Sequence, residues 1–451
     1  MNQPARLLRA SHTSVPVTAL CAALLLVAAA VHAETVAIVH AKAWTLTTDT
    51  ALDDATIVVT DGRIAAVAAA TAPPAGARIV DAGGRPVTPG LMHAATQIGL
   101  IEVNSATETI DHTAKPGAPG AGFDVQYAIN ANSMLIQLAR ADGLTRAVSY
   151  PGGSGVPPFN GTGVLLRLVE HGEIMERARI GVFATIGNRS AAASFGSRAA
   201  QWQMLRTALD TAKAAVAPPH KPVATQPTAA PAVAPPAPIV APAQSADAVA
   251  LDLVVTGKVP LAISTNRESD MRQAAKLACD YGIRVVVIGG AEAWLAADEL
   301  AAAKVAVVLD PMANLPYSFD ELGARLDNAA LLRKAGVVIA MSLGGVQSYN
   351  AGLSLREGAG LAVANGLPYV EGLRSIISAP AQIWGVAERQ GTIAPGKDGD
   401  LVIWDGDPLE PASLATAVFI QGKEVSLATH QSRLRDRYLP QIERARSVAS
   451  P

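Results

Sequence analysis

The feature that most constrains this chain is an alternation in its second half. Three largely apolar runs, at 283–288 (with Arg284 the one polar member), 305–309 and 337–341, are separated by stretches of helical spacing at 271–281, 291–304 and 322–335. An apolar run with no polar alternate is buried on both faces, so its neighbours in sequence must cover it. Strands and helices in that order build a parallel sheet with helices packed against it. The first of these helices has Ser269 as an N-cap and Gly282 as a stop. The class is therefore α/β, and both a (β/α) barrel and an open doubly wound sheet produce this pattern. With 451 residues, half of them hydrophobic and only 16% charged, the chain can bury a core of that size.

The two ends read differently from the middle. Residues 55–60 and 63–67 are β-branched or apolar runs around Asp61-Gly62, a turn pair that tolerates positive φ. Near the other end, 401–404 and 418–420 are strand-like, with turns at Pro395-Gly396 and Asp405-Gly406. Two β-rich ends around a different middle predict one small β-sandwich built from residues 34–88 and 389–426. The segment 217–246 carries nine prolines, which predicts a disordered or polyproline-like insertion, a plain spacer within the α/β region. Residues 427–451 form a C-terminal helix or tail whose arginines, between 433 and 446, lie on a solvated face.

Residues 1–33 have the pattern of a signal peptide. Arg6 and Arg9 precede an apolar stretch at about 17–31, and Val31-His-Ala33 supplies small residues before Glu34. The stretch is short for a stable membrane span. A periplasmic or secreted location is expected. Cleavage would remove Cys21 and leave Cys279, which alone can make neither an intramolecular disulfide nor a thiolate metal site. Its place inside a helix predicts inert packing. A net charge of −2 and an aromatic content of 4% speak against a nucleic-acid partner.

Two stretches carry a family resemblance. Val80-Asp-Ala-Gly-Gly-Arg-Pro-Val-Thr-Pro-Gly-Leu91 resembles the lead-in to the barrel of imidazolonepropionase-like amidohydrolases. Ser378-Ala-Pro-Ala-Gln-Ile-Trp-Gly385, followed by Gly391-Thr-Ile-Ala-Pro-Gly-Lys-Asp-Gly-Asp-Leu-Val-Ile-Trp404, is similar to that family's return from the last barrel helix. Together with Arg356-Glu-Gly-Ala-Gly-Leu-Ala-Val-Ala-Asn-Gly-Leu-Pro368, the likeness spans nearly the whole chain after residue 33. It implies a TIM-like (β/α)8 barrel over residues 89–388 beside the sandwich.

The family's chemistry uses a zinc-type ion that acidifies a bound water and polarises the scissile carbonyl. Its first ligands come as Asp-x-His-x-His just after Pro-Gly-Leu. Here that register places Ala95 and Gln97 at the ligand positions, with His93 where the family has its Asp. A spacing of two would keep His93 on the same strand face as Ala95. Ser264 stands at the mid-barrel histidine, and Gly344, within one residue, at the general-base aspartate. Of eight histidines only His93, His112 and His171 fall in the barrel region, and none of the eight has His-x-His or His-x-x-x-His spacing. Loss at several strands together predicts that no metal cofactor is held.

Other chemistries are not signalled. Pro151-Gly-Gly-Ser-Gly155 lacks the Gly-Lys-Ser/Thr ending of a phosphate loop, and Gly-x-Ser-x-Gly is absent. The polar residues left around the expected barrel mouth are Gln97, Ser264, Asn266, Arg267 and Asn350 for binding. Glu102, Asp310 and His93 are the candidates for a general base. Three functions are open: a degenerate, metal-free homologue that binds a small molecule or partner; a hydrolase of C–N bonds in cyclic amides or peptide-like substrates with a rebuilt site; or a scaffold for another exported protein. The missing ligands favour the first.

Overall fold

The computed structural model describes residues 34–188, 196–216, 244–343 and 349–449. The expected signal peptide, nearly all of the Pro-rich insertion and Gly344 lie outside the described residues.

Both chain ends enter one sheet. Strands β1 (Thr35–Ala43), β2 (Leu52–Thr60), β3 (Arg63–Ala69), β4 (Arg78–Asp81) and β5 (Pro86–Pro89) come from the N-terminal side. They are joined by β16 (Leu401–Trp404), β17 (Ala415–Ile420) and β18 (Lys423–Val425). The order is β18-β17-β16-β5-β1-β2-β3, with β4 pairing β1. The hairpin is where the turn pair puts it: Asp61 and Gly62 have φ of 51° and 76°, as a two-residue reversal requires. A sandwich of two sheets was expected, whereas the hydrogen bonds make a single sheet. It gathers Ile38, Ile57, Ile64, Ile403 and Phe419 into one buried cluster.

The middle is α/β with mixed sheets. One sheet runs β10 (Met175–Arg177), β9 (Val164–Arg167), β7 (Leu144–Ser149), β6 (Leu91–Thr96). The other runs β15 (Ile339–Met341), β14 (Ala306–Leu309), β13 (Val285–Gly289), β12 (Leu261–Thr265), β11 (Val182–Thr185), β8 (Phe159–Thr162). From β11 to β15 every pairing is parallel. Helices α1 (Met134–Ala141), α2 (Arg198–Val216), α3 (Ala246–Val255), α4 (Glu268–Tyr281), α5 (Ala297–Ala302) and α6 (Asn328–Lys334) separate or precede these strands. Then come α7 (Ala351–Ala364), α8 (Tyr369–Ile376), α9 (Ser378–Ile383) and α10 (His430–Ala449).

Among the described residues the strands do not close into a hydrogen-bonded (β/α)8 barrel. No helix lies between β7 and β9, and a strand that returns without a crossover must run antiparallel. Accordingly β9 is antiparallel to β7 and β8 is antiparallel to β11. Ser342 Oγ donates to the Ala95 carbonyl at 2.6 Å, a side-chain link rather than a strand ladder between the β15 end and β6.

Strand alternation divides the core. Ala147, Val182, Leu261, Val287 and Val307 pack outward against helices. Val148, Phe183, Ala262, Val286, Val308 and Ala340 pack inward with Trp384. Small side chains inside leave room for an aromatic stack. Tyr150 lies on Phe183 with ring centres 4.9 Å apart, and Phe183 lies on Trp384 at 5.5 Å.

Several boundaries differ from expectation. Helix α4 begins at Glu268 with Arg267 as an N-cap that makes no side-chain bond, although it does stop at left-handed Gly282. The helix expected at 291–304 splits into a 3-10 turn, Ala293–Ala296, and α5. The one expected at 322–335 is only α6. Glu292 accepts from the Gly323 amide and Trp294 Nε1 donates to its carbonyl, which holds that stretch as a loop. Ser245 caps α3, so the insertion stops short of residue 246. Cys279 is on the exposed face of α4 rather than packed. No helix among the described residues is long and apolar enough to cross a membrane.

Candidate functional site

Strands β11, β12 and β13 end around a cavity of about 230 Å³. Its wall includes Tyr150, Thr185, Ser264, Asn266, Asp320 and Glu321. Tyr150 follows β7 and takes its position from the backbone bond of its amide to the Thr96 carbonyl, 3.0 Å, and from the stack on Phe183. Burial pushes its phenol pKa up, so it meets a ligand as a neutral hydroxyl. Asn160 Nδ2 donates to Thr185 Oγ1 at 2.9 Å.

The carboxylates at this mouth are engaged in holding it. Asp320 accepts from the Asn188 amide at 2.9 Å and from its Nδ2 at 3.0 Å, and it pairs with Arg198. Arg198 Nε reaches Asp270 at 2.8 Å. Asp270 is buried, and it also accepts from Trp202 Nε1 at 3.0 Å and Thr265 Oγ1 at 3.2 Å. Glu321 accepts from Asn266 Nδ2 at 2.8 Å and from the Tyr317 amide at 3.0 Å. Two or three donors on each carboxylate hold it in place.

The expected residues fall into three groups. Ser264 and Asn266 line the cavity. Gln97 does not line it; its amide and the His112 ring both face Gly152, where an added Cβ would sit 3.0 Å from Gln97 Nε2 and 2.6 Å from His112 Nδ1. That His112 nitrogen is buried without a hydrogen bond, and burial lowers the imidazole pKa, which keeps the ring neutral. Glu102, Asp310, Arg267 and Asn350 are elsewhere. Glu102 accepts from Asn130 Nδ2 at 3.0 Å in the loop after β6. Asp310 accepts from the Met312 amide at 3.0 Å. Arg267 and Asn350 are exposed at the N-termini of α4 and α7.

His93 does not share a face with Ala95. The register of β6 breaks between His93 and Thr96. Met92, Ala94 and Ala95 all belong to the inner cluster, while His93 pairs with Ala147 of the outer one. His93 is 2% exposed, its Nδ1 accepts from the Ala95 amide at 3.3 Å, and burial lowers its pKa to about 4. Nor do the three histidines converge. His171 is exposed in the turn between β9 and β10, and β9 runs antiparallel to β7, so that turn lies at the far end of the strands from the mouth.

The residues present do not suit a zinc-type ion. Ala95 offers no donor atom, and Gln97 and Ser264 offer neutral oxygens that are poor zinc ligands. Among the described residues no group of three or more His, Cys, Asp or Glu is placed to share a metal. Tyr150, Asp320, Glu321 and the placing of His112 and Gln97 around Gly152 were not anticipated. Tyr150 alone carried a signal, as a polar residue directly after a buried strand. The others sit on loops whose course no periodicity reveals.

Similarity to known proteins agrees with the α/β fold. The amidohydrolase family model matches residues 291–429. A crystal structure of an amidohydrolase from Thermotoga maritima superposes with a TM-score of 0.71 at 22% identity, covering 87% of this chain and 99% of that one. An uncharacterized protein of known structure gives 0.52 at 15% identity, over 87% and 99%. The amidohydrolase tasK of Hapsidospora irregularis is 44% identical over 57 residues, which is 13% of this chain and 6% of the relative. The fold is that of the Thermotoga maritima amidohydrolase, and the amidohydrolase family model matches the C-terminal part of the chain, residues 291–429.

Proposed function

We propose that this chain is a degenerate amidohydrolase that binds a small polar molecule at the strand-end mouth without a metal ion. The observation that carries the reading is the donor set there. Hydroxyls and amides from Tyr150, Thr185, Ser264 and Asn266 face a cavity of about 230 Å³, while the nearby carboxylates are tied to Arg198 and Asn266. Such a surface suits a neutral or zwitterionic ligand with several hydrogen-bonding edges, a cyclic amide or a short peptide-like molecule. The pattern at 1–33 supports export, with binding in the periplasm or outside the cell.

One observation favours a second reading, hydrolysis of a C–N bond by a rebuilt site. Burial lowers the His112 pKa, and its Nδ1 has no hydrogen-bond partner among the described residues, as a general base needs. Metal content after dialysis, with and without added zinc, combined with a hydantoin and dipeptide panel, separates the two. The binding reading expects no stoichiometric metal, saturable ligand binding and no turnover. Retained stoichiometric zinc overturns it, and metal-free turnover abolished by His112→Gln establishes the second.

A further inference from the structure

At the opposite end of the strands lies a larger cavity, of about 320 Å³. It opens where β13, β14 and β15 begin and is flanked by α5 and α9. Val286, Leu300, Val305, Val338 and Ile383 line it, and Val286 and Ile383 are members of the inner cluster itself. The interior apolar core is therefore reached from solvent at this end. Barrel-like folds close this end with packing, so an apolar opening of this size invites a ligand.

The rim is cationic. Arg284 and Lys304 line the cavity, and no carboxylate does so among its described lining residues. Arg284 makes one hydrogen bond, to the Lys258 carbonyl at 3.1 Å, and its fork has further donors to offer. Lys304 makes no ion pair among the described residues. Burial and then the charge of Arg177, on β10, lower the Arg284 pKa, and Arg177 too makes no ion pair among the described residues. Cations gathered without counter-charges above an apolar pit match an amphiphile with an anionic head.

We propose that this cavity is a second binding site, for an organic monoanion with an aliphatic or aromatic body, a medium-chain carboxylate being the simplest. The body replaces water against Val286, Val338 and Ile383. The head meets Arg284 and Lys304.

Isothermal titration of the full chain with butanoate, hexanoate and octanoate below their aggregation limits tests the site. Saturable one-to-one binding is expected, tightening about fourfold per added methylene until the pit is full. Octanol and octylamine should bind about tenfold more weakly than octanoate. Arg284→Ala and Lys304→Ala, both surface changes, should each weaken octanoate about tenfold and leave octanol unchanged. Ala301→Trp, at the cavity wall, should block all three chain lengths, with circular dichroism confirming the fold. Absence of saturable binding overturns the proposal. So does octanoate binding that ignores both the charge variants and Ala301→Trp, which would place the ligand elsewhere.

Discussion

His93 shows how one residue changes meaning between sequence and structure. Its spacing pointed to the old ligand face, but the register shift between His93 and Thr96 puts Ala95 on the inner side with Met92 and Ala94, and leaves His93 buried on the other face, paired with Ala147. There its pKa falls from 6.5 to about 4. The unfolded chain protonates near 6.5 and the folded one does not until about 4. Within that window U binds the extra proton, so stability is full above pH 6.5 and falls as the pH drops toward 4. The slope is about 1.4 kcal/mol per unit, some ~3 kcal/mol in all. His93→Leu removes this term. Urea midpoints from pH 8 to 4.5 should fall more steeply for the parent than for the variant, and parallel curves would contradict the burial. Gly152 is the counterpart at the mouth. Gly152→Ala would place a methyl 2.6 Å from His112 Nδ1, but it meets side-chain ends that can swing away. The melting temperature should barely change. The His112 ring should leave its desolvated place, and its pKa, followed by NMR, should rise toward 6.5.

At the scale of elements, legibility followed the range of the forces. Hairpin β2–β3, strand β16 and the Gly282 stop of α4 were readable because turn chemistry and burial on both faces act within a few residues. Helix α6 was overestimated because Glu292 and Trp294, some thirty positions away in sequence, capture Gly323 and keep 310–327 as a loop. The antiparallel β8–β9 passage was unreadable for the same reason: a short strand takes its direction from its partners, not its own pattern. The site divides likewise. Ser264 and Asn266 end a clear strand and were found, whereas Asp320 and Glu321 arrive on that misread loop. Helix α9 supplies a test of the inner packing. Trp384 is 1% exposed, and its Nε1 donates to the Ala94 carbonyl at 2.8 Å. Trp384→Phe keeps an aromatic ring on Phe183 but leaves that buried carbonyl unpaired, at a cost of about 2 kcal/mol. Trp384→Ala adds a cavity and should cost about 3–5 kcal/mol. Denaturant unfolding measures both, and equal losses would mean that the stack contributes nothing beyond the hydrogen bond.

Where the two kinds of sheet meet, a buried charge cluster links them beside the apolar contact of Val402, Trp404 and Val418 with the α/β middle. Arg146, on β7 and only 2% exposed, reaches Glu176 at 2.7 Å, Asp398 at 2.7 Å and also Asp400. Asp398 and Asp400 lie just before β16 of the composite sheet, so one guanidinium ties the α/β middle to the strand group built from both chain ends. Arg389 adds a second contact to Asp398 at 2.7 Å. Such a buried cluster is weak evidence for net stability, because desolvation offsets attraction, but removing one partner strands the others. Arg146→Met should therefore destabilise by about 3–5 kcal/mol. Arg146→Lys keeps the charge but cannot present a planar fork to three carboxylates, and it should recover only part of the loss. Surface pairs lose their value in salt, and this one is out of the solvent. The difference between parent and Arg146→Met in urea unfolding should thus be nearly the same in 0.1 M and 1 M NaCl, taken as ~10 Å and ~3 Å of screening length. A difference that vanishes at high salt would show that the junction is wet and that apolar contact, not Arg146, joins the two parts.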